Sequence, residues 1–251
     1  DGARIDVSGK AGGGTALVGG NYQGKGAEQN ASKTLVSSGA VIDASATNSG
    51  NGGKVVVWAE DATRFYGAIK AQGGTLAGNG GLVEVSGKQA LDLHGSIDVA
   101  APVGIGGKVL LDPQDIVLNA TVQASPPNNA NGTPDLAFAD APNPGTYTIQ
   151  VTDVIGYSEL FLQASRDITL NSAMAMAAGN SVRLEAGNNI TTNAALSVTG
   201  AGSINLKADA DNSGAGTLAL GAALSSQAGG ITLSGASVPS TAAGSIATTG
   251  A

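Results

Sequence analysis

The chain contains no cysteine. Disulfides are excluded, so rigidity must come from packing and backbone hydrogen bonding. This absence fixes no compartment, but it suits a polypeptide that crosses a membrane unfolded, because no bridge can form early and block passage. Aromatic residues make up 3% of the 251 residues, so the core must be built from Val, Ile, Leu and Ala. Lys and Arg number 12 against 19 Asp and Glu, for a net charge of −7. There is no basic patch, and nucleic acid is not an expected partner. No apolar run approaches the roughly 20 residues of a membrane-spanning helix, so the chain is not expected to span a membrane itself. No window sustains a 3.6-residue period, which argues against long helices.

Glycine, by contrast, is abundant at 39 residues, without the Gly-X-Y period of collagen. It marks a repeat. Gly52-Gly53-Lys54-Val55-Val56-Val57-Trp58 is echoed by Gly80-Gly81-Leu82-Val83-Glu84-Val85-Ser86 and by Gly106-Gly107-Lys108-Val109-Leu110-Leu111-Asp112, at offsets of 28 (80 − 52) and 26 (106 − 80). Such a period signals an array whose units bury their apolar faces only by stacking. Each unit reads as three short strands separated by Gly, Asn and Ser. The expected fold class is therefore all-β, a parallel β-helix forming a single elongated rod.

The strands can be laid over one another. Ile5-Asp6-Val7, Ile42-Asp43-Ala44, Ile69-Lys70-Ala71 and Ile97-Asp98-Val99 alternate with period 2, which predicts an internal ladder of Ile5, Ile42, Ile69 and Ile97 and an external row of Asp6, Asp43, Lys70 and Asp98. Val55, Val57, Val83, Val85, Val109 and Leu111 are expected inside, with Lys54, Glu84 and Asp112 outside. Thr63-Arg64-Phe65-Tyr66 over Leu91-Asp92-Leu93-His94 sets Arg64 beside Asp92 as a cross-strand pair. Residues 1–118 read as coils of long period, about 26–38 residues. Gly19 to Lys33 reads as a loop projecting from the first full coil. Residues 119–145 hold five of the eight prolines and are expected to extrude as a loop, because proline cannot donate to a ladder. Residues 146–251 resume with shorter coils. Starts at 160, 182, 204 and 231 give periods of 22, 22 and 27, and Val151 to Glu159 has room for one helical turn. The whole is expected to comprise about eight or nine coils, roughly 40–45 Å long. The opening residues Gly2 to Val7 already match Gly39 to Ala44, so the chain reads as a piece of a longer one.

Several segments together resemble filamentous-haemagglutinin-like exoproteins, the large passengers of bacterial two-partner secretion. They are Asn21-Tyr22-Gln23-Gly24-Lys25-Gly26 with Asn30-Ala31-Ser32, Gly53 through Gly67, Val83-Glu84-Val85-Ser86-Gly87-Lys88 and Leu110-Leu111-Asp112-Pro113. The match is strong over residues 1–118 and one of style over 146–235. The resemblance implies a right-handed parallel β-helix, export through a dedicated outer-membrane transporter, and a secreted or cell-surface shaft. The shaft would mediate or display adhesion to a receptor or glycan on a host or neighbouring cell. It implies no catalytic residues and no cofactor. Two alternatives stay open: a carbohydrate-active β-helix lyase or hydrolase, and the stalk of a contact-dependent growth-inhibition toxin.

Site candidates are few. His94 is the only histidine and sits on an outward position beside Gly95, with Tyr66 as its expected neighbour; it reads as surface rather than as a general base. The Asp6, Asp43 and Asp98 row could serve a glycoside-cleaving enzyme, but Lys70 interrupts it and no arginine joins it. Asp209-Ala210-Asp211-Asn212-Ser213-Gly214 opens like a calcium loop, making Asp209 and Asp211 the metal candidates, yet Leu220 stands where a bidentate Glu is required. Gly12-Gly13-Gly14 lacks the Lys-Ser/Thr of a phosphate loop. Sequons occur at Asn30, Asn119, Asn131 and Asn189. Trp58, the sole tryptophan, alternates outward and is either capped by a loop or open for stacking on carbohydrate. Trp58, Tyr22 and Asn131 are the candidate contacts, with loops 19–33 and 119–145 as the surfaces that would carry them.

Overall fold

The computed structural model describes residues 2–121 and 145–249. The protein is nearly all-β, at 45% strand and 3% helix, and its strands pair in parallel. The described residues fall into two units: residues 2–112 with 145, and residues 113–121 with 146–249.

The first unit contains β1 (Arg4–Asp6), β2 (Thr15–Val18), β3 (Lys33–Val36), β4 (Val41–Asp43), β5 (Lys54–Ala59), β6 (Ala62–Phe65), β7 (Ala68–Lys70), β8 (Leu82–Gly87), β9 (Ala90–Leu93), β10 (Ser96–Asp98) and β11 (Lys108–Leu111). The strands enter three sheets in rotation. Their orders are β1-β4-β7-β10, β2-β5-β8-β11 and β3-β6-β9. Parallel strands need crossovers, and here the other two sheets supply them. Registers follow the repeat: Ile5 pairs with Ile42, Ile42 with Ile69 and Ile69 with Ile97, and Arg64 with Asp92.

The double glycines that announce the repeat have a steric cause. A Cβ on Gly52 would lie 2.1 Å from the Ala71 carbonyl oxygen, and one on Gly80 would lie 1.9 Å from that of Val99. Each glycine sits where the chain passes against the backbone of the next turn, so only hydrogen fits.

The core holds Ile42, Ile69, Phe65, Val57, Val85 and Leu111, all buried. Two rungs of the expected ladder depart from it. Ile5 is 39% exposed and Ile97 is half-buried. Both lie on end strands of their sheet, β1 and β10, and so have a ladder neighbour on one side only. The segment after β2 also differs from expectation. It does not project but lies against β5, as described below.

The second unit contains β12 (Asp115–Asn119), β13 (Thr146–Gln150), α1 (Val151–Val154), β14 (Glu159–Ala164), β15 (Ile168–Leu170), β16 (Met174–Ala175), β17 (Ser181–Ala186), β18 (Ile190–Thr192), β19 (Leu196–Val198), β20 (Ile204–Lys207), β21 (Leu218–Leu220), β22 (Leu224–Ser226), β23 (Ile231–Ser234) and β24 (Ile246–Thr248). The orders are β13-β12-β15-β18-β21, β14-β17-β20-β23 and β16-β19-β22-β24. Alternation is clean on β17, where Val182, Leu184 and Ala186 are buried while Ser181, Arg183 and Glu185 are half-buried. The helical turn falls at the start of the span predicted for it. Asn119, expected to begin a loop, closes strand β12 instead. β13 pairs with β12 in register, Asp115 to Thr146 through Asn119 to Gln150, on the edge opposite β15. The chain therefore steps back here, which the resumption read at 146 did not anticipate. Residues 122–144, which hold most of the proline-rich segment and Asn131, lie outside the described residues. Among the described residues no helix is long and apolar enough to cross a membrane.

Candidate contact surface

The segment between β2 and β3 forms a strap over the outer faces of β5 and β8. It carries a 3-10 turn, Tyr22–Gly24, started by Asn21, whose side chain accepts from the Tyr22 N–H. Gly24 lies flat on Trp58: a Cβ there would come within 2.3 Å of the indole Cζ2, and its φ is +63°. Glycine thus serves both conformation and contact at this position. Asn30 fastens the other end, donating to the Gly24 carbonyl at 2.8 Å and to Glu60 at 3.1 Å.

Trp58 is consequently only 4% exposed and offers no open ring face, which removes it as a carbohydrate-stacking contact and leaves the loop-capped alternative. Tyr22 is half-buried, with Lys54 Nζ 5.2 Å above its ring. It remains at the rim. Asn131 lies outside the described residues.

Glu84 points outward from β8 as the alternation requires, yet it is fully buried beneath the strap. The Gln23 N–H donates to both carboxylate oxygens, at 3.1 and 2.9 Å. Burial pushes this carboxyl up to about 7, against the pull of the Gln23 N–H, the Ser86 hydroxyl and the Lys54 and Lys25 charges. Its neighbours at the same level, Val56 and Leu110, are buried too. The wall is therefore apolar on both sides. The uninterrupted runs Val55-Val56-Val57-Trp58 and Val109-Leu110-Leu111 carry that signal, because a strand buried on both faces loses its alternation.

On β6 and β9 a second cluster forms. Tyr66 donates to Asp92 at 2.5 Å, and His94 Nε2 lies 3.1 Å from the other Asp92 oxygen. The Tyr66 and His94 rings stack at 6.4 Å, and Arg64 stands beside Asp92 across the strands. Burial, and then its bond to Asp92, raise the Tyr66 pKa, so this phenol holds its proton and acts as a donor rather than a base.

The acidic row is paired as the registers dictate, with Lys70 between Asp43 and Asp98. An arginine does join it: Arg4 contacts Asp6 at 2.8 Å and Asp43 at 3.5 Å. Hydrogen bonds from Ser8 and then Arg4 lower Asp6 to about 2. In the candidate calcium loop, Asp209 accepts from the Ser213 hydroxyl at 2.9 Å and the Gly214 N–H at 3.0 Å, and Asp211 accepts from the Ser213 N–H at 3.1 Å. The two carboxylates cap their own turn. Among the described residues no group of three or more His, Cys, Asp or Glu is placed to hold a metal ion.

Sequence reasoning missed the exposed apolar residues. Leu76, Val103 and Ile105 are 68%, 64% and 68% exposed, on the successive corners after β7 and β10. Their signal was a large aliphatic residue inside a glycine-rich corner, as in Gly74-Thr75-Leu76-Ala77-Gly78 and Pro102-Val103-Gly104-Ile105-Gly106. No protein-family model and no curated protein matches the chain.

Proposed function

We propose that the chain is a right-handed parallel β-helix, a single rod, and a non-enzymatic structural shaft of a filamentous-haemagglutinin-like exoprotein. In this reading it leaves the cell through an outer-membrane two-partner transporter and acts at the bacterial surface, mediating or displaying adhesion. The observation that carries the reading is the rotation of strands through three parallel sheets in each unit. A chain that adds one strand to each sheet per turn gains length without gaining breadth, and its backbone ladders give stiffness without disulfides or metal. The segments quoted for the resemblance supply the biological context. Recognition then falls to exposed side chains on the corners, and Leu76, Val103 and Ile105 are the most exposed large apolar ones among the described residues of the first unit.

Two measurements test this. Small-angle scattering should give a rod roughly 40–45 Å long, and a compact globule would refute the fold. Fluorescent beads coated with the protein should adhere to cells, and the triple variant Leu76→Ser, Val103→Ser, Ile105→Ser should lose adherence with an unchanged melting temperature. Turnover of an acidic or neutral polysaccharide that vanishes in the Asp43→Asn, Asp98→Asn double variant would replace the shaft with an enzyme.

A further inference from the structure

The outer surface of β8 holds a carboxylate closed off from water, with the strap's Gln23 N–H lying on it. Glu84 stands between Val56 and Leu110, under a turn whose Gln23 adopts a left-handed φ of 57°, rare for a residue with a side chain. That conformation aims the Gln23 N–H at the carboxyl. The charged groups around it come from each neighbouring element. From β5 comes Lys54, which donates to Asn21 at 3.2 Å. From the strap come Lys25, bonded to the Gln23 side chain at 3.1 Å, and Glu28, whose carboxylate accepts from Asn21 at 2.8 Å. Glu60, just past β5, is taken by Asn30 and Lys88. On β11 the facing residue is Leu110, with Lys108 beside Leu82. Ser86 follows Glu84 on the same face, and its hydroxyl, like the Gln23 N–H, draws the carboxyl down. Against these, an ionised Glu84 must keep a charge in an apolar wall, fully buried between Val56 and Leu110.

We propose that the strap, residues 21–28, is a pH-operated cover, closed over Trp58 and β8 while Glu84 carries its proton and lifted when Glu84 ionises. The sign follows from the raised carboxyl, at about 7 against an ordinary 4.5. The closed form holds the proton more tightly than the open form, so closure is fully favoured below about 4.5 and is lost as pH rises through about 7. Opening uncovers Trp58 and Val56, an apolar face on the outer wall that is hidden under acidic conditions.

Because Trp58 is the only tryptophan and lies under the strap, its fluorescence reports the cover directly. Acrylamide quenching of the whole chain should rise several-fold between pH 5 and 9 with a midpoint near 7, while far-UV circular dichroism stays constant. Glu84→Gln should remain closed throughout. Gly24→Ala, pushed off the indole, should be quenchable at every pH. A flat titration of the unaltered protein overturns the proposal whether or not the variants fold. So does a transition that survives in Glu84→Gln, or one in which the circular dichroism signal collapses together with the quenching change.

Discussion

The two units build their walls differently. In the second, β17 and β20 alternate strictly, with aliphatic residues inside and Ser, Arg, Glu, Asn and Lys outside. In the first, β5 is buried at every position after Lys54, and β6 at all four positions. At β17 and β20 the second unit's wall is one layer thick, and on β14 the outward Phe161 is covered by the Arg183 side chain, 4.3 Å above its ring. In the first unit a strap turns the outer side of the same kind of strand into a second, smaller core around Val56, Trp58 and Glu84. A repeat therefore fixes what faces inward in both units, while what faces outward depends on whether an insertion returns to cover it.

The largest expected effect tests what the units share. Ile69→Asp and Leu170→Asp each bury an uncompensated charge between stacked strands and should cost several kcal/mol or abolish cooperative melting. If one is tolerated, the ladders are not equivalent. Next comes the outer side. Trp58→Ala should cost about 3–5 kcal/mol, whereas Thr169→Ala, at an outward half-buried site of β15, should cost under about 1 kcal/mol. Equal denaturation midpoints would erase the distinction between the walls. The smallest effect sharpens it. Gly24→Ala adds a methyl against the indole at positive φ and should cost about 1–3 kcal/mol. Gly230→Ala, where nothing lies within 4 Å of the added carbon, should stay within about 0.5 kcal/mol. Thermal melts of the pair decide it.

The inward half of this fold was legible because two periodicities coincide. Alternation gave the face of Ile42 and Ile69, and the glycine-anchored offsets gave the register, down to Arg64 beside Asp92. The outward half was less legible. Alternation placed Glu84 and Trp58 on the correct face, but their burial depends on a polar segment thirty residues or more earlier in the chain, which no local pattern describes. Trp58 was a contact candidate only if no loop capped it, and of Trp58 and Tyr22 packing kept only Tyr22 at the surface. β16, β22 and β24 escaped notice because two or three residues of Met, Ala, Leu, Ile, Ser or Thr make too short a stretch to show a period. The reversed placement of β13 escaped for another reason: a hydrophobic pattern says which residues pair well, but not on which edge a strand is laid.

That reversal has a consequence for the timing of folding. In the first unit β4, β5 and β6 each find a partner already synthesised, namely β1, β2 and β3. A chain emerging from its amino terminus can therefore add strands as they appear. β12 in the second unit is flanked by β13 and β15, both later in the chain. Within its unit it has nothing to pair with until residue 146 and beyond have emerged. Pairing of β12 must therefore wait until the chain beyond it has emerged, and a truncation before Thr146 would leave Ile116 and Leu118 with neither of their sheet neighbours.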